Sequence, residues 1–298
     1  MFWRALNAFL LFFFLSTTFS ATSHARSLVK IIDWRDLSDH NQSADGRQAL
    51  EINRDSWQHA ETEHFIYHFH DVKEAETVYI HAEEYYRWVK EMFGVTSDEW
   101  PGKCHVYIFE DKTIWQEFNK KPGERLPGAE AYTNGTELFI YREPFFLEPQ
   151  RTLAHEITHI VVHRFLKGTL PLFLNEGVAE FMSYKAIARL AGGNEYAIRT
   201  IEMMPEERFI AVDKLVRTKT YPESPEEKKF FYRESELLAR YLLLNHDKKK
   251  FYELLTRTAE GEDFECVLKS LYELDLESFE TQFRLYAVPV AKKQENEH

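Results

Sequence analysis

The sequence predicts an α+β protein, with a small mixed sheet in its first half and helices through most of its second half. Residues 65–69 (FIYHF) alternate aromatic with other side chains, which is the period of two of a strand with one buried face. Asn134-Gly135 separates two β-prone runs, as in a hairpin. From Glu148 onward, apolar residues recur at helical spacing. Strands followed by a run of helices are typical of α+β folds.

The other elements follow from local patterns in chain order. We predict a helix over 75–93, a strand over 106–109, a short helix over 113–118, and a hairpin of strands 129–133 and 137–141. Pro149 suits a first helical turn, and the helix that it opens should end near Leu166, because Gly168 and Pro171 follow. Later helices are predicted over 175–190, 225–244, 248–257, 264–272 and 276–286.

The pattern divides the chain into five parts. Residues 1–25 are expected to be a signal peptide, and residues 26–60 an extension or linker without a periodic apolar face. Residues 61–190 should form a lobe that contains the sheet, and residues 191–287 an all-helical lobe. The charged residues 288–298 are predicted to be a disordered tail.

The signal peptide is predicted from Arg4, which precedes a nearly uncharged apolar run over residues 5–19. Small residues in Ser23-His24-Ala25 favour cleavage after Ala25. We therefore expect export to the periplasm or the outside of a bacterial cell. The alternative is that the segment is retained as an anchor, and we expect membrane contact only in that case.

The charge balance and the cysteines limit the partners and the compartment. The chain has 49 acidic and 37 basic side chains, for a formal net charge of −12, without a Lys/Arg block that could follow phosphates. We therefore expect neither nucleic acid nor an anionic membrane surface as a partner. Cys104 and Cys266 lie far apart in sequence, and both a disulfide and two free thiols are compatible with export.

A metal site is predicted at His155-Glu156-Ile157-Thr158-His159, an H-E-x-x-H pattern inside a predicted helix. A spacing of four residues places both imidazoles on one helix face, where their nitrogens can reach one cation. A catalytic zinc site needs a third protein ligand and one open position. Glu176 lies 17 residues beyond His159, at the start of a second helix that can turn back past the metal. We predict one zinc ion per chain.

The neighbouring polar residues are predicted to support this ion. Glu156 does not share the direction of the two imidazoles, and it is expected to act as general base on the zinc-bound water. Glu180 follows Glu176 by one turn, so it is expected to accept the N–H of a ligating imidazole. Asn175 is expected to cap the second helix.

These residues resemble the gluzincin pattern of the peptidase MA superfamily, which thermolysin and aminopeptidase N share in outline. The resemblance rests mainly on residues 153–181, which contain the H-E-x-x-H and N-E-G-x-A-E segments. It is closer to the bacterial peptidase MA-like domains, in which a Tyr-x-x-Ser segment lies in a later helix. Tyr232 and Ser235 fit that place, and the likeness extends over residues 61–287.

The resemblance implies a zincin-like first lobe and a zinc-dependent peptidase whose substrate is a peptide or protein. It implies that a tyrosine hydroxyl stabilises the oxyanion, with Tyr232 as the candidate, and that the hairpin binds peptide backbone. Glu130 is one place early for an aminopeptidase motif, which favours other peptidase activity. Two alternatives stay open: a catalytically silent, zinc-containing envelope scaffold or binding protein, and a hydrolase of non-peptide amides or esters.

Other histidines are predicted to have no part in the metal site. Eight residues of helix rise about 12 Å, so His163 is too far from His155 to share its ion. His64, His68 and His70 are expected to form the polar outer face of a half-buried strand.

Overall fold

The structure is a computed structural model that describes residues 28–96, 102–120, 130–142, 149–190 and 203–289. The predicted signal peptide, residues 1–25, lies outside the described residues, as does nearly all of the predicted tail 288–298 and residue 129 of the predicted hairpin.

Six strands form one mixed sheet. Its strands are β1 (Ile31–Ile32), β2 (Gln58–Glu61), β3 (Phe65–Phe69), β4 (Cys104–Phe109), β5 (Ala131–Thr133) and β6 (Glu137–Tyr141). The spatial order is β1-β2-β3-β4-β6-β5. The central strands β3, β4 and β6 run parallel, and the outer pairs are antiparallel. The predicted hairpin is confirmed as β5 and β6, with Gly135 at a φ of 91° in its turn.

Ten helices are present in the described residues. They are α1 (Ala44–Glu51), α2 (Val72–Met92), α3 (Lys112–Phe118), α4 (Pro149–Phe165), α5 (Leu172–Leu190), α6 (Val212–Val216), α7 (Pro225–Asn245), α8 (Lys248–Ala259), α9 (Phe264–Tyr272) and α10 (Leu276–Ala287). Strands precede the long run of helices, so the architecture is consistent with the predicted α+β class.

Several helices begin where a side chain can satisfy their first amide groups. Asp71, Asp111 and Asp263 accept hydrogen bonds from backbone N–H groups at the starts of α2, α3 and α9. Ser224 caps α7 in the same way, and Pro225 follows it at the first helical position. These local signals explain why the helices that were predicted have the observed bounds to within three residues; α1 and α6 were not predicted.

The segment over residues 26–60, predicted to be an extension or linker, contributes its described part to the sheet layer. β1 and β2 extend the sheet beyond β3, and α1 packs against β4. Ser43 caps α1, and its backbone N–H also donates to the Glu137 carboxylate at 2.9 Å. A segment without helical or strand periodicity thus folds onto the sheet by edge pairing and by polar contacts.

This segment covers the sheet face on which His68 lies, so the expected polar outer face is wrong for that residue. His68 is fully buried; its Nδ1 lies 2.8 Å from Nδ1 of His59, and its Nε2 lies 2.9 Å from Nδ1 of His105. The ring of Trp34 packs near His59 and His68. Sequence alternation identifies the two faces of a strand, but it does not reveal that both faces are covered.

Two hydrophobic clusters hold the described residues together. The larger fills the space between the sheet and α2 and α4, and continues without a break into the later helices. There α5 packs between α4 and α7. The smaller cluster lies under α1 and α3 on the other sheet face and is aromatic: Trp57, Tyr107, Phe109, Trp115, Phe118 and Phe139.

The described helices and cysteines bear on membrane contact and cross-linking. Within the described ranges, none of the helices combines the length and the apolar composition that a bilayer span requires. Cys104 is buried on β4 and Cys266 is exposed on α9, and both are free thiols. The two cysteines are therefore not joined in a disulfide.

Candidate active site

A cleft of about 670 Å³ opens where the sheet edge meets the helices. β5, one of the two edge strands of the sheet among the described residues, lines it together with α4, α5 and the connection between them. Tyr221, before α7, and Lys228 and Tyr232, on α7, also line it. Glu130, just before β5, is a further lining residue.

The three predicted ligands meet in this cleft. Nε2 of His155 and Nε2 of His159 lie 3.0 Å apart. Oε2 of Glu176 lies 3.4 Å from the first nitrogen and 3.6 Å from the second. Among the described residues, these three form the group of His, Cys, Asp and Glu side chains whose ligand atoms could hold one ion.

The connection between α4 and α5 brings Glu176 back to the histidines. Gly168 has a φ of 109°, and a Cβ there would lie 1.9 Å from the carbonyl oxygen of Ala259, so only glycine fits. The next amide, of Thr169, donates to that same oxygen at 3.0 Å. The turn is thereby fastened to the end of α8, and α5 starts at Leu172 in a direction that passes the imidazoles.

Asn175 does not cap α5, contrary to our expectation. The helix begins three residues earlier, at Leu172, and the backbone N–H of Asn175 donates to the carbonyl oxygen of Pro171 at 3.0 Å. Asn175 thus lies inside the first turns and lines the cleft. The reason is that the carbonyl oxygen of Pro171 accepts the first hydrogen bond of the helix, so the helix has already begun before the chain reaches Asn175.

Further side chains hold the three residues in place. Oε1 of Glu180 lies 3.3 Å from Nδ1 of His155, on the side of the ring away from the other ligands, and Arg151 binds the second oxygen of Glu180. The hydroxyl of Tyr221 donates to Oε1 of Glu176 at 2.6 Å. An ion-binding imidazole and carboxylate are commonly oriented by such outer contacts.

The carboxylates of the site attract positive charge to the imidazoles. Burial alone would lower the pKa of His155, but interactions with Glu176 and Glu180 outweigh it and raise the pKa to about 10. Burial alone would raise the pKa of Glu176, but the charge of His159 and contacts with both imidazoles hold it well below its ordinary value. The protein therefore keeps buried carboxylates ionised around a point that attracts a cation.

The donor set fits a zinc ion. Ligand atoms about 2.1 Å from one ion in tetrahedral geometry lie about 3.4 Å from one another, close to the three distances between His155, His159 and Glu176. Oε2 of Glu176 is buried and has no hydrogen-bond partner among the described residues, although it faces both imidazoles. An unsatisfied buried oxygen is costly, and a cation would satisfy it.

Glu156 and Tyr232 lie beside this group. Glu156 lines the cleft and is 8% exposed, and burial raises the pKa of its carboxyl. The ring of Tyr232 lies 6.5 Å from the ring of His155 and 6.0 Å from the ring of Tyr221, centroid to centroid. Burial raises the pKa of the Tyr232 hydroxyl far above its ordinary value, so it stays protonated.

α7 brings Tyr232 to the cleft because α5 and α7 approach closely at one glycine. A Cβ on Gly177 would lie 2.2 Å from the carbonyl oxygen of Ser235. The glycine of N-E-G-x-A-E and the serine of Tyr-x-x-Ser are therefore packing partners, and the tyrosine lies three residues earlier on the same helix.

Sequence reasoning missed Tyr221, and it left out His163, which lies outside the group of His155, His159 and Glu176. Tyr221 lies in the loop before α7, a segment without helical or strand periodicity. Proline follows it directly, and that pair indicates only a turn. His163 is exposed and packs against the hairpin turn at Gly135. The contact is so close that a Cβ on Gly135 would lie 2.6 Å from Nε2 of His163.

The chain is similar to solved structures and matches one family model. The chain resembles an M1 zinc metallopeptidase from Deinococcus radiodurans at 16% identity and a TM-score of 0.35, with 75% of this chain and 47% of that one covered. A mutant of that enzyme gives 14% identity and the same coverage and TM-score. The chain thus spans about half the length of these proteins, and no curated protein sequence matches it. The model of the Peptidase MA superfamily matches residues 95–289, well over half of the sequence, and the chain therefore belongs to the Peptidase MA superfamily.

Proposed function

We propose that the protein is a zinc-dependent peptidase of the gluzincin type, which holds one zinc ion with His155, His159 and Glu176. The observation that carries the proposal is the separation of their ligand atoms by 3.0, 3.4 and 3.6 Å within an open cleft. Membership of the Peptidase MA superfamily supports it.

The bound zinc would supply a Lewis acid that polarises the scissile carbonyl and makes water more acidic. Glu156 accepts the proton that the attacking water loses and delivers it to the departing amine. This role is supported by its position in the cleft next to His155 on α4 and by its burial, because a buried carboxylate binds a proton more readily than an exposed one.

Tyr232 donates a hydrogen bond to the oxygen that becomes negative as water attacks. Its protonated hydroxyl and its ring 6.5 Å from that of His155 support this role. Tyr221 and Glu180 act through other residues: the first orients Glu176, and the second orients His155.

A peptide is the substrate that the cleft shape favours. β5 pairs only with β6 among the described residues, so its other edge carries backbone groups that an extended peptide can pair with. This edge lies within the lining of the cleft that contains Glu156. A substrate strand on β5 would therefore pass the general base.

Metal analysis of the purified protein, combined with digestion of an unbiased peptide library with and without a chelator, tests the proposal. We expect about one zinc per chain and chelator-sensitive cleavage. Glu156→Gln should retain the zinc and reduce kcat by about 10²- to 10⁴-fold, because it removes proton transfer but no ligand.

Two variants of α4 make the metal test specific. His159→Asn should lose zinc, whereas His163→Asn, one turn further along the same helix, should retain it. Zinc with no cleavage of any peptide would contradict the peptidase and favour a silent scaffold. Full activity of Glu156→Gln would remove the mechanism.

A further inference from the structure

Two Lys or Arg side chains line the cleft among the described residues, and their ionic surroundings differ. Arg151 is bound to Glu180 and lies over the ring of Tyr184. Lys228 has no carboxylate within ion-pair distance in the described part of the chain. It is half-buried, so water only partly replaces the missing partner.

The ammonium of Lys228 is held over two aromatic rings of the site. Its Nζ lies 5.2 Å from the ring centroid of Tyr221 and 5.9 Å from that of Tyr232. Aromatic faces attract a cation and keep it in place without neutralising its charge. Lys228 therefore presents a positioned positive charge beside the residues that are proposed to act on the substrate.

Two of the carboxylates that line the cleft, those of Glu176 and Glu180, are already engaged. Glu176 accepts from Tyr221 and faces the two imidazoles, and Glu180 contacts His155 and Arg151. The positive charge of Lys228 is thus left for a group that enters the cleft. A carboxylate is the group on a peptide that binds an ammonium most strongly at neutral pH.

The spacing on α7 limits where that carboxylate lies. Lys228 precedes Tyr232 by four residues, a rise of about 6 Å along the helix. An extended peptide covers that distance with about two residues. A carboxylate bound to Lys228 thus lies within about two residues of the bond that is cleaved next to Tyr232.

We propose that Lys228 is a specificity-determining residue that binds a substrate carboxylate within about two residues of the scissile bond. The proposal rests on the proposed peptidase function. The carboxylate has two sources, an Asp or Glu side chain or the free carboxyl terminus of a peptide.

Binding to the zinc-loaded Glu156→Gln protein tests the proposal without requiring turnover. The probes are fluorescent peptide pools in matched pairs. In the first kind of pair, one pool has Glu and the other has Gln at the same position, and each position is tested in turn. In the second kind, one pool has a free carboxyl terminus and the other has an amidated one. We expect about tenfold tighter binding of the carboxylate member of one pair, since a bond to a charged group is lost in its neutral partner. The first pair reports an acidic side chain, and the second reports a terminal carboxylate.

In the same background, Lys228→Met should reduce that ratio to about one, and Lys228→Glu should invert it in favour of the neutral member of the pair. Lys229→Met is the matched control, because this exposed neighbour does not line the cleft, and it should keep the wild-type ratio. The proposal is overturned if no pair shows a preference, or if Lys228→Met keeps it. Cleavage by the wild-type protein is measured separately: cleavage without a Lys228-dependent preference refutes only the specificity, and a preference without cleavage refutes only the peptidase.

Discussion

At the scale of single residues, the site is defined by what each side chain contacts outside the metal group. Tyr221 and Tyr232 stack on each other, and Tyr221 donates a 2.6 Å hydrogen bond to Glu176, a predicted metal ligand. The ring of Tyr232 instead lies 6.5 Å from the ring of His155, at the lining of the cleft. Substitution of Tyr221 should therefore change zinc affinity, whereas substitution of Tyr232 should change kcat.

Removal of the Tyr221 hydroxyl should weaken zinc binding. Tyr221→Phe deletes the donor to Glu176, so the carboxylate loses an orienting contact, and we expect zinc affinity to fall by about 10- to 100-fold. Competition with a fluorescent zinc chelator measures this change. An affinity equal to that of the wild-type protein would show that Tyr221 does not orient Glu176.

Removal of the Tyr232 hydroxyl should instead slow the reaction. Tyr232→Phe deletes the proposed oxyanion donor, so kcat should fall by about 10²- to 10³-fold with little change in KM. Steady-state kinetics on a cleaved library peptide measures it, and zinc affinity, unchanged from wild type, is the control. A lower zinc affinity with normal kcat would assign Tyr232 to metal binding.

At the scale of elements, the site depends on how closely three helices approach one another. α4 supplies the imidazoles, α5 supplies Glu176, and α7 supplies Tyr232. α5 and α7 meet at Gly177. The backbone of Ser235 on α7 lies so close to Gly177 that it leaves no room for a Cβ there. The two helices cannot keep this separation if a larger residue replaces the glycine.

Gly177→Ala should move α7 away from α5. The added methyl group meets a backbone oxygen that cannot rotate away, so we expect a loss of about 1–3 kcal/mol in unfolding free energy and a lower kcat. Chemical denaturation and kinetics measure the two effects. Arg189→Ala, at an exposed position of the same helix, is the control and should change neither. An unaffected Gly177→Ala variant would show that the close approach is unnecessary.

At the scale of the whole molecule, the sheet is covered on both faces. The candidate active site lies against β5 and α4, whereas the face over β2, β3 and β4 carries three histidines, His59, His68 and His105, in hydrogen-bond contact. Burial lowers the pKa of all three, to about 4 for His59. The described N-terminal segment therefore encloses neutral imidazoles in the folded state.

This cluster should make the fold sensitive to acid. A histidine with a lower pKa in the folded than in the unfolded chain binds fewer protons when folded, so stability falls as the pH drops below about 6.5. For one histidine that stays neutral when folded, the loss between pH 7 and pH 5 is about 2 kcal/mol.

Denaturation curves at a series of pH values measure this loss. His68→Asn removes the central imidazole, so it should reduce the dependence of stability on pH over this window, whatever its effect at pH 7. Because wild type and variant share every other titrating group, their difference isolates the cluster. An identical pH dependence in the two proteins would rule out His68 as its source.

Local patterns predicted much of this protein. The helices α4, α7, α8, α9 and α10 and the hairpin follow from periodicity, proline and the Asn-Gly turn, because those signals act over a few neighbouring residues. The candidate ligands His155, His159 and Glu176 were recognisable for the same reason, since a helix converts sequence spacing into a shared face.

Only the tertiary structure decided what lies far apart in sequence. It brought Tyr221 to Glu176, Ser235 to Gly177, and the segment before residue 61 onto the sheet. No short pattern encodes these contacts, because loop residues have no period and edge pairing depends on which strand is free. The sequence alone determined which side chains can bind a metal, and the packing of α5 and α7 decided which others reach them.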